Sequence, residues 1–295
     1  MTDLLICTAL ALEARAVRRG LSRCPVRVQF RRTGVGPRRA ARVAAALPAF
    51  DALAVTGFAG SLVPGLRAGD VLAAEEVRYG DQTFACPSAP LLAGELTRAG
   101  LRARTGSLLT CDHVVTGALR RDLAEQGAHA VDMETAPLAR AAAGRPVAAV
   151  RVIVDTPADP LLSPATLRGA LAARRVLRRL GPVLARWAAA IAPRTVLRDP
   201  PGLGGADLVL VLGPAGSPEA RRLLETATPP ARLVDAPERI ELGWLRGVRT
   251  VALTATGSTP PSLVDTAENA LRGLGPVTSG IRRTAGEPIS EDAQP

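Results

Sequence analysis

The strongest constraint in this sequence is the alternation of short apolar runs with longer amphipathic segments. The runs LLICTA at residues 4–9, ALAVT at 52–56 and VAAVRVIV at 147–154 have the length and composition of buried β-strands, and helical patterns separate them. Apolar strands that alternate with helices are typical of sheets covered on both faces. The pattern therefore predicts an α/β domain with a largely parallel sheet.

The same pattern divides the chain into two units. A length of 295 residues is sufficient for two domains. A strongly helical segment at 164–192 is followed by residues rich in proline and glycine, and a second, shorter βα pattern begins after them. We predict a main domain at 1–193, a linker at 194–205, a small α/β lobe at 206–283 and a flexible tail at 284–295.

The charge of the chain bears on its partners. Its 37 basic residues are all arginine and exceed the acidic residues by 10. A basic balance is typical of proteins that bind nucleic acid or anionic membranes. Nucleic-acid modules usually add stacking aromatic residues or a recognisable basic motif, whereas aromatic residues make up only 2% of this chain. We therefore expect no nucleic-acid partner.

The cysteines and the N-terminus bear on compartment. Cys7, Cys24, Cys86 and Cys111 are widely separated and form no CxxC pair, and with only two histidines the sequence has no metal-ligand spacing. The first residues lack a basic segment followed by a long apolar core, and no stretch of about 18 uncharged apolar residues occurs elsewhere. We expect a cytoplasmic protein without a bound metal, its cysteines acting as small buried apolar side chains.

Four acidic residues lie at the ends of predicted elements: Glu13, Asp132, Glu134 and Asp155. In an open α/β sheet, residues that follow the carboxyl ends of strands meet in one crevice. Any one of them, taken singly, is more typical of a solvated cap. Their recurrence at strand ends makes this crevice the candidate site.

Six segments add a family resemblance: TALALEARAV, TGVG, AVTGFAGSLVPGLRAGDVLAAEEVRYGD, GSLLTCDHVVT, AVDMETAPLAR and AVRVIVDTPAD. In order and spacing they resemble the purine nucleoside phosphorylase and nucleosidase superfamily, in the branch of the methylthioadenosine/adenosylhomocysteine nucleosidases. The resemblance covers roughly residues 4–190. It implies a three-layer α/β sandwich with a central mixed sheet, and cleavage of a ribosyl N-glycosidic bond through an oxocarbenium-like transition state.

The resemblance also implies roles for individual residues. Asp155 corresponds to the general acid that protonates the departing purine at N7. Glu134 corresponds to the residue that holds the ribose hydroxyls, and Met133 to the thioether packed on the sugar. Glu13 corresponds to the carboxylate that orients the attacking water. Adenine is the expected leaving base.

The chain departs from the family pattern at two places. The loop that normally reads TGSAGG reads TGFAGS here, so that Phe58 follows Gly57 where a small hydroxyl usually contacts the nucleophile. Val114 and Val115 lie where the family lines the adenine pocket, usually with an aromatic residue first. We therefore expect weaker base stacking, and hydrolysis rather than phosphorolysis. Inorganic phosphate, held by an arginine such as Arg38, stays open as a co-substrate.

Within the superfamily, the segments CDHVV and VDME are most similar to the hopanoid-associated phosphorylase branch, which releases adenine from adenosylhopane. A lipid-linked substrate would give the arginine-rich helical segment 168–187 a use in peripheral contact with an anionic bilayer. The alternative is a helix packed on the sheet with a solvated arginine side. The arginines concerned are Arg168, Arg174, Arg175, Arg178, Arg179 and Arg186.

The C-terminal lobe resembles the last third of 4-hydroxy-3-methylbut-2-enyl diphosphate reductase, an iron–sulfur enzyme of isoprenoid synthesis. That family holds a diphosphate with a Ser-Ser-Asn cluster and a later serine. Here the cluster reads Ser217-Pro218-Glu219, Ser258 is in place, and no cysteine follows Cys111. We therefore expect no iron–sulfur cluster, and a degenerate lobe that serves docking or oligomerisation.

Several functions stay open. The preferred one is an adenosylhopane nucleosidase. Methylthioadenosine, adenosylhomocysteine or futalosine are alternative substrates, and a scaffold or binding module of isoprenoid metabolism without catalysis is an alternative of another class. Members of the resembled family are commonly oligomeric, so that a homo-oligomer is the expected assembly.

Overall fold

A mixed eight-stranded sheet forms the centre of the N-terminal domain. The structure, a computed structural model, describes residues 1–21, 24–157 and 164–280, with only the backbone described for 164–172. The strands of the sheet are β1 (Asp3–Thr8), β2 (Arg27–Arg32), β3 (Ala52–Ser61), β4 (Val71–Tyr79), β5 (Gln82–Ala85), β6 (Ala103–Thr110), β7 (Ala130–Asp132) and β8 (Val147–Asp155).

Parallel and antiparallel pairs are combined in this sheet. β8 is parallel to β3 and antiparallel to β4, while β3 is antiparallel to β7. With the parallel pairs β4–β6 and β6–β7, these strands close into a ring, and β1 and β2 extend it beside β3. The expected mixed central sheet is confirmed. Because of its antiparallel pairs, the sheet is less parallel than the alternation of strands and helices predicts.

Helices cover both faces of the sheet. They are α1 (Ala11–Gly20), α2 (Pro37–Ala44), α3 (Ala89–Arg98), α4 (Ala118–Glu125), α5 (Thr135–Ala141) and α6 (Pro164–Ala189). Alternate residues of β1 belong to different cores: Leu4 and Ile6 pack with α1, α3 and α6, whereas Leu5 and Cys7 pack on the side of α5. This period of two is the reason the strands are apolar throughout.

The C-terminal lobe has a five-stranded sheet in which every pair is parallel. Its elements are β9 (Arg194–Arg198), β10 (Leu208–Leu212), α7 (Pro218–Thr226), β11 (Ala231–Val234), a 3-10 turn (Pro237–Arg239), β12 (Thr250–Ala255), α8 (Pro261–Arg272) and β13 (Val277–Gly280). The predicted linker at 194–205 is wrong in its first five residues, because β9 pairs with β12 and β13 inside this sheet. The predicted tail at 284–295 lies outside the described residues.

A continuous apolar core joins the lobe to the main domain. It contains residues of α3 and α6 together with β10, β12 and α8 of the lobe. Polar contacts cross the same junction: the buried Glu95 on α3 accepts a hydrogen bond from the backbone amide of Leu242 (3.1 Å), and Nη1 of Arg98 donates to the carbonyl oxygen of Glu238 (3.0 Å). A Cβ at Gly94 would overlap the carbonyl oxygen of Glu238. The lobe is therefore packed directly against the domain.

The arginine-rich helix α6 uses its apolar side inside the protein. Leu180, Val183 and Trp187 are buried, and Nε1 of Trp187 donates a hydrogen bond to Oγ of Ser88 (3.0 Å). This side is therefore not available to a bilayer, whereas Arg174, Arg175, Arg178 and Arg179 are exposed. The side chain of Arg168 lies outside the described residues. None of the described helices is both long and apolar enough to cross a membrane.

Candidate active site

One cavity of about 240 Å³ lies at the carboxyl ends of β1, β3, β7 and β8. β1, β3 and β8 are parallel, so that their carboxyl ends meet at one edge of the sheet. β7 is antiparallel to β3 but pairs with its last residues, Gly60 and Ser61, and this brings the residues that follow β7 to the same place. The cavity contains all but one of the residues predicted for the site: Glu13, Phe58, Val114, Val115, Met133, Glu134 and Asp155. The exception, Gly57, lies directly behind its wall, between Glu13 and Arg151.

Glu13 is held rigidly by backbone amides. It occupies the first turn of α1 and is 1% exposed. Oε2 accepts a hydrogen bond from the amide of Leu10 (2.7 Å), and Oε1 accepts one from the amide of Phe58 (2.9 Å). Burial raises the pKa of Glu13, while these amides and the charge of Arg151 act in the opposite direction. The carboxylate is thus fixed in orientation, and each oxygen retains a further lone pair.

Gly57 permits this arrangement. Its φ of +152° disfavours other residues, and a Cβ there would lie 2.7 Å from Oε1 of Glu13 and 2.9 Å from Nη1 of Arg151. A side chain at this position would push the acid and the arginine apart. The glycine is therefore required by the site rather than by a turn.

Glu134 lies two residues after the end of β7 and is the N-cap residue of α5. Its Oε1 accepts a hydrogen bond from the amide of Gly36 (3.0 Å), and its Oε2 lies 3.8 Å from Nη2 of Arg151. Burial raises the pKa of Glu134; Arg151 lowers it, and the charges of Asp132 and Glu13 raise it further. Met133 lines the same wall of the cavity. This is an anionic group at the edge of a cavity, with room to accept further hydrogen bonds.

Arg151 is the cation beneath these acids, and the sequence analysis missed it. It lies on β8 opposite Gly57 and is 1% exposed. Its Nη2 pairs with Asp132 and donates to Oγ1 of Thr135 (2.6 Å), while Nε and Nη1 have no hydrogen-bond partner among the described residues. Burial lowers the pKa of Arg151, but the charges of Asp132, Glu134 and Glu13 outweigh this and raise it. The signal was available: an arginine in the middle of an otherwise apolar strand.

Asp155, the last residue of β8, forms the opposite end of the cavity. Its Oδ2 is paired with Nη2 of Arg120 on α4, and both side chains are buried. Arg120 also donates to the carbonyl oxygens of Val115 (3.0 Å) and Ser61 (3.1 Å). Oδ1 of Asp155 is buried and has no hydrogen-bond partner among the described residues. A ligand that enters this end would find one carboxyl oxygen with unused bonding capacity.

The remaining predicted residues form apolar walls. Phe58 is half-buried, Val115 is packed against Leu62 and Val131, and Val114 is exposed at the mouth. No aromatic ring occupies the position of Val114. Arg38, predicted as a phosphate ligand, lines a neighbouring groove instead of the cavity.

That neighbouring groove has a volume of about 1170 Å³ and runs between α2 and α5. It shares Val35 and Met133 with the cavity, so that the two are continuous. Its lining combines small apolar residues with charged and polar ones: Pro37, Ala41, Ala44, Ala45, Pro137 and Ala141, with Arg38, Arg39, Arg42, Arg140, Tyr79 and Asp112. The Asp155 end is enclosed, and the Met133 end continues into the groove.

The lobe has a crevice of about 560 Å³ at the corresponding edge of its own sheet. Here the polar groups bond one another: Oγ1 of Thr256 contacts the hydroxyls of Ser258 (3.3 Å) and Thr259 (3.0 Å). Oε2 of Glu219 accepts a hydrogen bond from the amide of Gly257 (2.8 Å), and Oγ of Ser217 accepts one from Ala220 (3.3 Å). The amide of Gly257 is therefore already bonded to the carboxylate of Glu219 and is not available to donate a hydrogen bond to a bound anion.

Three of the cysteines have a raised pKa, which disfavours the reactive thiolate form. Burial raises the pKa of Cys7 and Cys86 to about 12 and that of Cys111 to about 11. All four cysteines are free.

Comparison with known proteins identifies the class. The fold of residues in the N-terminal domain matches an S-adenosylhomocysteine nucleosidase from Streptococcus pyogenes, with 21% identity, 61% of this chain and 96% of that chain covered, and a TM-score of 0.51. A futalosine hydrolase from Helicobacter pylori matches with 15% identity, 62% and 97% coverage, and a TM-score of 0.54. The domain therefore has the fold found in nucleosidases.

The chain belongs to the phosphorylase superfamily, whose family model matches residues 23–180, more than half of its length. It is thus a member of an enzyme superfamily. The model described as LytB protein matches residues 203–272.

The lobe is similar to curated 4-hydroxy-3-methylbut-2-enyl diphosphate reductases. A 4-hydroxy-3-methylbut-2-enyl diphosphate reductase from Mycobacterium bovis is 42% identical over 90 residues, which are 30% of this chain and 27% of the relative. The corresponding reductase from Zymomonas mobilis is 42% identical over 77 residues, 25% of this chain and 22% of the relative. The chain spans about a quarter of the length of these reductases.

Proposed function

We propose that this protein cleaves the ribosyl N-glycosidic bond of an adenine nucleoside with water and releases adenine, and that the nucleoside is adenosylhopane. The observation that carries the proposal is the convergence of Glu13, Glu134 and Asp155 on one cavity, each with different partners. Carboxylates suit this reaction because the sugar becomes cationic as the base departs.

The sugar would bind at Glu134. Its Oε1 is oriented by the amide of Gly36, and its negative charge can accept hydrogen bonds from the ribose hydroxyls. These bonds become stronger as positive charge develops on the ring. Met133 would pack against the sugar on the same wall.

The nucleophile would be held by Glu13. Two backbone amides fix this carboxylate, so that it can orient a water molecule and accept its proton. Water suits the site better than phosphate, because Asp132, Glu134 and Glu13 surround Arg151 with negative charge and a dianion would be repelled. Phe58 also lacks the hydroxyl that a phosphate site of the family pattern would use.

The base would lie at Asp155. Oδ1 is the atom with unused bonding capacity, and a protonated carboxyl there can donate to the purine as the bond to the sugar breaks. Arg120 holds Oδ2 and thereby fixes the direction of Oδ1. The proton reaches the departing base, and water supplies the hydroxyl group to the sugar.

The groove supports a nucleoside with a large 5′ substituent. It continues from the cavity at Val35 and Met133, small apolar residues of α2 and α5 form part of its lining, and it is far larger than the cavity itself. A hopanoid chain is rigid and apolar, and it would contact these alanines and prolines. The reductase-like lobe adds support from isoprenoid metabolism.

The test is chromatographic measurement of adenine release from adenosylhopane and from methylthioadenosine, each with and without phosphate, with the Asp155→Asn variant as control. We expect phosphate-independent release from adenosylhopane that the variant loses. Release from methylthioadenosine alone would favour the second candidate, which the fold of the nucleosidases supports. Release from none of them would favour a binding module.

A further inference from the structure

Five exposed arginines on α1 and α6 form no ion pair with any residue that the structure describes. We name this group the arginine face; its members are Arg15, Arg19, Arg174, Arg175 and Arg178. The ion pairs of the part of the chain that the structure describes involve other arginines, such as Arg27, Arg98 and Arg186. The arginine face thus differs from the rest of the basic surface, where carboxylates are near.

The sequence of both helices explains the absence of partners. In α1 the single acidic residue is Glu13, which is buried in the cavity, and residues 173–189 of α6 contain no acidic residue. The positive charges therefore repel one another across the helix surface, a cost that an anionic partner would remove.

The two helices present one continuous surface. They approach so closely that a Cβ at Gly20 would overlap the carbonyl oxygen of Arg178, and a Cβ at Gly181 would lie 2.7 Å from that of Val17. Arg19 of α1 and Arg178 of α6 line the same shallow depression. A flat partner could therefore contact both helices at once.

Apolar side chains are exposed at the mouth of the cavity and beside it. Apart from Met1, the large apolar residues exposed in the described part of the chain are Leu12, Val35, Val114 and Leu119, between 38% and 53% exposed. Val35 and Val114 line the cavity, and Leu12 and Leu119 are neighbours in sequence of the lining residues Glu13 and Arg120. We name these four the apolar collar.

Leu12 joins the collar to the arginine face. It lies one turn before Arg15 and two turns before Arg19, on the exposed side of α1. Exposed apolar residues grouped around a cavity mark a surface that contacts another apolar phase or molecule. Arginine beside such residues is the pattern of proteins that bind at the boundary of headgroups and acyl chains.

We propose that the arginine face and the apolar collar together dock the protein on an anionic lipid bilayer, with the arginines on the headgroups and the cavity mouth at the membrane surface. The arginines supply attraction to anionic lipids, and the collar supplies apolar contact. A lipid surface fits better than nucleic acid, because Trp187 of α6 is buried and the ring of Phe30, beside α1, is already covered by Arg18 (4.7 Å to the ring centroid). Lipid binding is independent of which nucleoside the cavity accepts.

The experiment is co-sedimentation of the full chain with vesicles of phosphatidylcholine, alone or mixed with phosphatidylglycerol. We expect binding to the mixed vesicles that decreases with salt. The triple variant Arg174→Gln, Arg175→Gln, Arg178→Gln should bind them about 100-fold more weakly, from about fivefold per arginine.

The matched control is Arg221→Gln, Arg222→Gln, Arg246→Gln, which removes the same charge from exposed positions of the lobe. It should change binding by less than about threefold, because attraction falls off within a Debye length. An equal loss in both triple variants would overturn the proposal, since net charge alone would then account for binding. Thermal unfolding of both variants checks that each is folded.

The apolar part is tested with Leu12→Ser, which should weaken the binding that remains at high salt. Binding that is equally strong for phosphatidylcholine alone would contradict the arginine face. Competition by a duplex oligonucleotide at lower concentration than anionic lipid would assign the surface to nucleic acid instead. Failure of adenosylhopane cleavage would leave these binding results intact, so the two proposals fail separately.

Discussion

The two sheets of this chain both end in a crevice, but the polar groups there are used differently. At the N-terminal site, Oδ1 of Asp155 in the cavity and Nε and Nη1 of Arg151 behind its wall are buried without a hydrogen-bond partner among the described residues. In the lobe, the hydroxyls of Thr256, Ser258 and Thr259 bond one another. Buried groups with unused capacity cost free energy, and sites that bind ligands are where that cost is tolerated.

The difference shows that, within this chain, the region with the higher sequence identity to known enzymes is not the region whose crevice has polar groups free to bind a ligand. The lobe has the higher identity to curated enzymes, yet Glu219 now occupies the amide of Gly257. What the lobe retains is its apolar interior, which is continuous with α3 and α6 of the main domain. We infer that packing, rather than catalysis, accounts for its persistence.

The largest expected effect separates the two crevices directly. Asp155→Asn and Glu134→Gln should each lower the rate of adenine release by about 10²–10⁴-fold, because a proton donor or a charge that stabilises the transition state is lost. The matched lobe variants Glu219→Gln and Ser258→Ala should leave the rate within about twofold. Steady-state assays of all four measure this; a lobe variant that loses activity would show that the crevices are coupled.

The second effect concerns the junction. Gly94→Ala places a methyl group against the carbonyl oxygen of Glu238, and we expect a loss of about 1–3 kcal/mol in the free energy of unfolding. The control Gly243→Ala introduces a methyl group where no atom lies within 4 Å. Calorimetry should show a single unfolding transition for the unmodified chain and for both variants, and only Gly94→Ala should unfold at a lower temperature. Two transitions in the unmodified chain would contradict the shared core.

Much of this organisation follows from sequence, and the exceptions have physical causes. Strand ends are recognisable from apolar runs, and the convergence of Glu13 and Asp155 follows from the parallel arrangement of β1, β3 and β8. Glu134 reaches the same cavity after an antiparallel strand, which the sequence does not reveal. Arg120 could not be found, because on α4 it stands beside Arg121 and only the tertiary structure buries one of them. Arg151 lies within a run interpreted as uniformly apolar.

The lobe shows the same limit. Proline and glycine after β9 indicate a loop, and the predicted linker includes the five residues of β9 as well. These five residues form a strand because they pair with β12 and β13, which are distant in sequence. A short strand that is stabilised by pairing with two sequence-distant strands has only a weak pattern in its own sequence.

A third effect is the pH dependence. Burial raises the pKa of Glu13 and Glu134. Both act as carboxylates in the proposed reaction, so activity should fall as pH decreases through values above the ordinary glutamate pKa of about 4.3. In the folded state a raised pKa favours the protonated carboxyl, and protonation of these two groups therefore stabilises the fold as pH falls.

The lobe behaves in the opposite way. Burial acts to raise the pKa of Glu268, but hydrogen bonds from Arg198, Ser279 and Arg272 outweigh it and lower the pKa. A lowered pKa contributes stability above the unfolded value, and this is lost as pH falls through the folded one. As the pH is lowered, enzymatic activity should therefore be lost at a higher pH than the circular dichroism signal of the folded protein. Coincident loss of both signals would mean that unfolding, and not titration of the site, limits activity.

The smallest expected effect tests the adenine end of the cavity. Val114 is exposed at the mouth, where the family pattern usually has an aromatic residue. Val114→Phe should add base stacking of about 0.5–1.5 kcal/mol and lower KM about two- to tenfold, with kcat little changed because the contact is made equally in the ground state.

The neighbouring Val115 provides the control for that substitution. Val115 is 2% exposed and packs against Leu62 and Val131, so that Val115→Phe should overfill this cluster and reduce stability instead of KM. If Val114→Phe raised KM, the base would have to lie elsewhere in the cavity. Asp155 would then be separated from the purine, and the proton would have to come from another group.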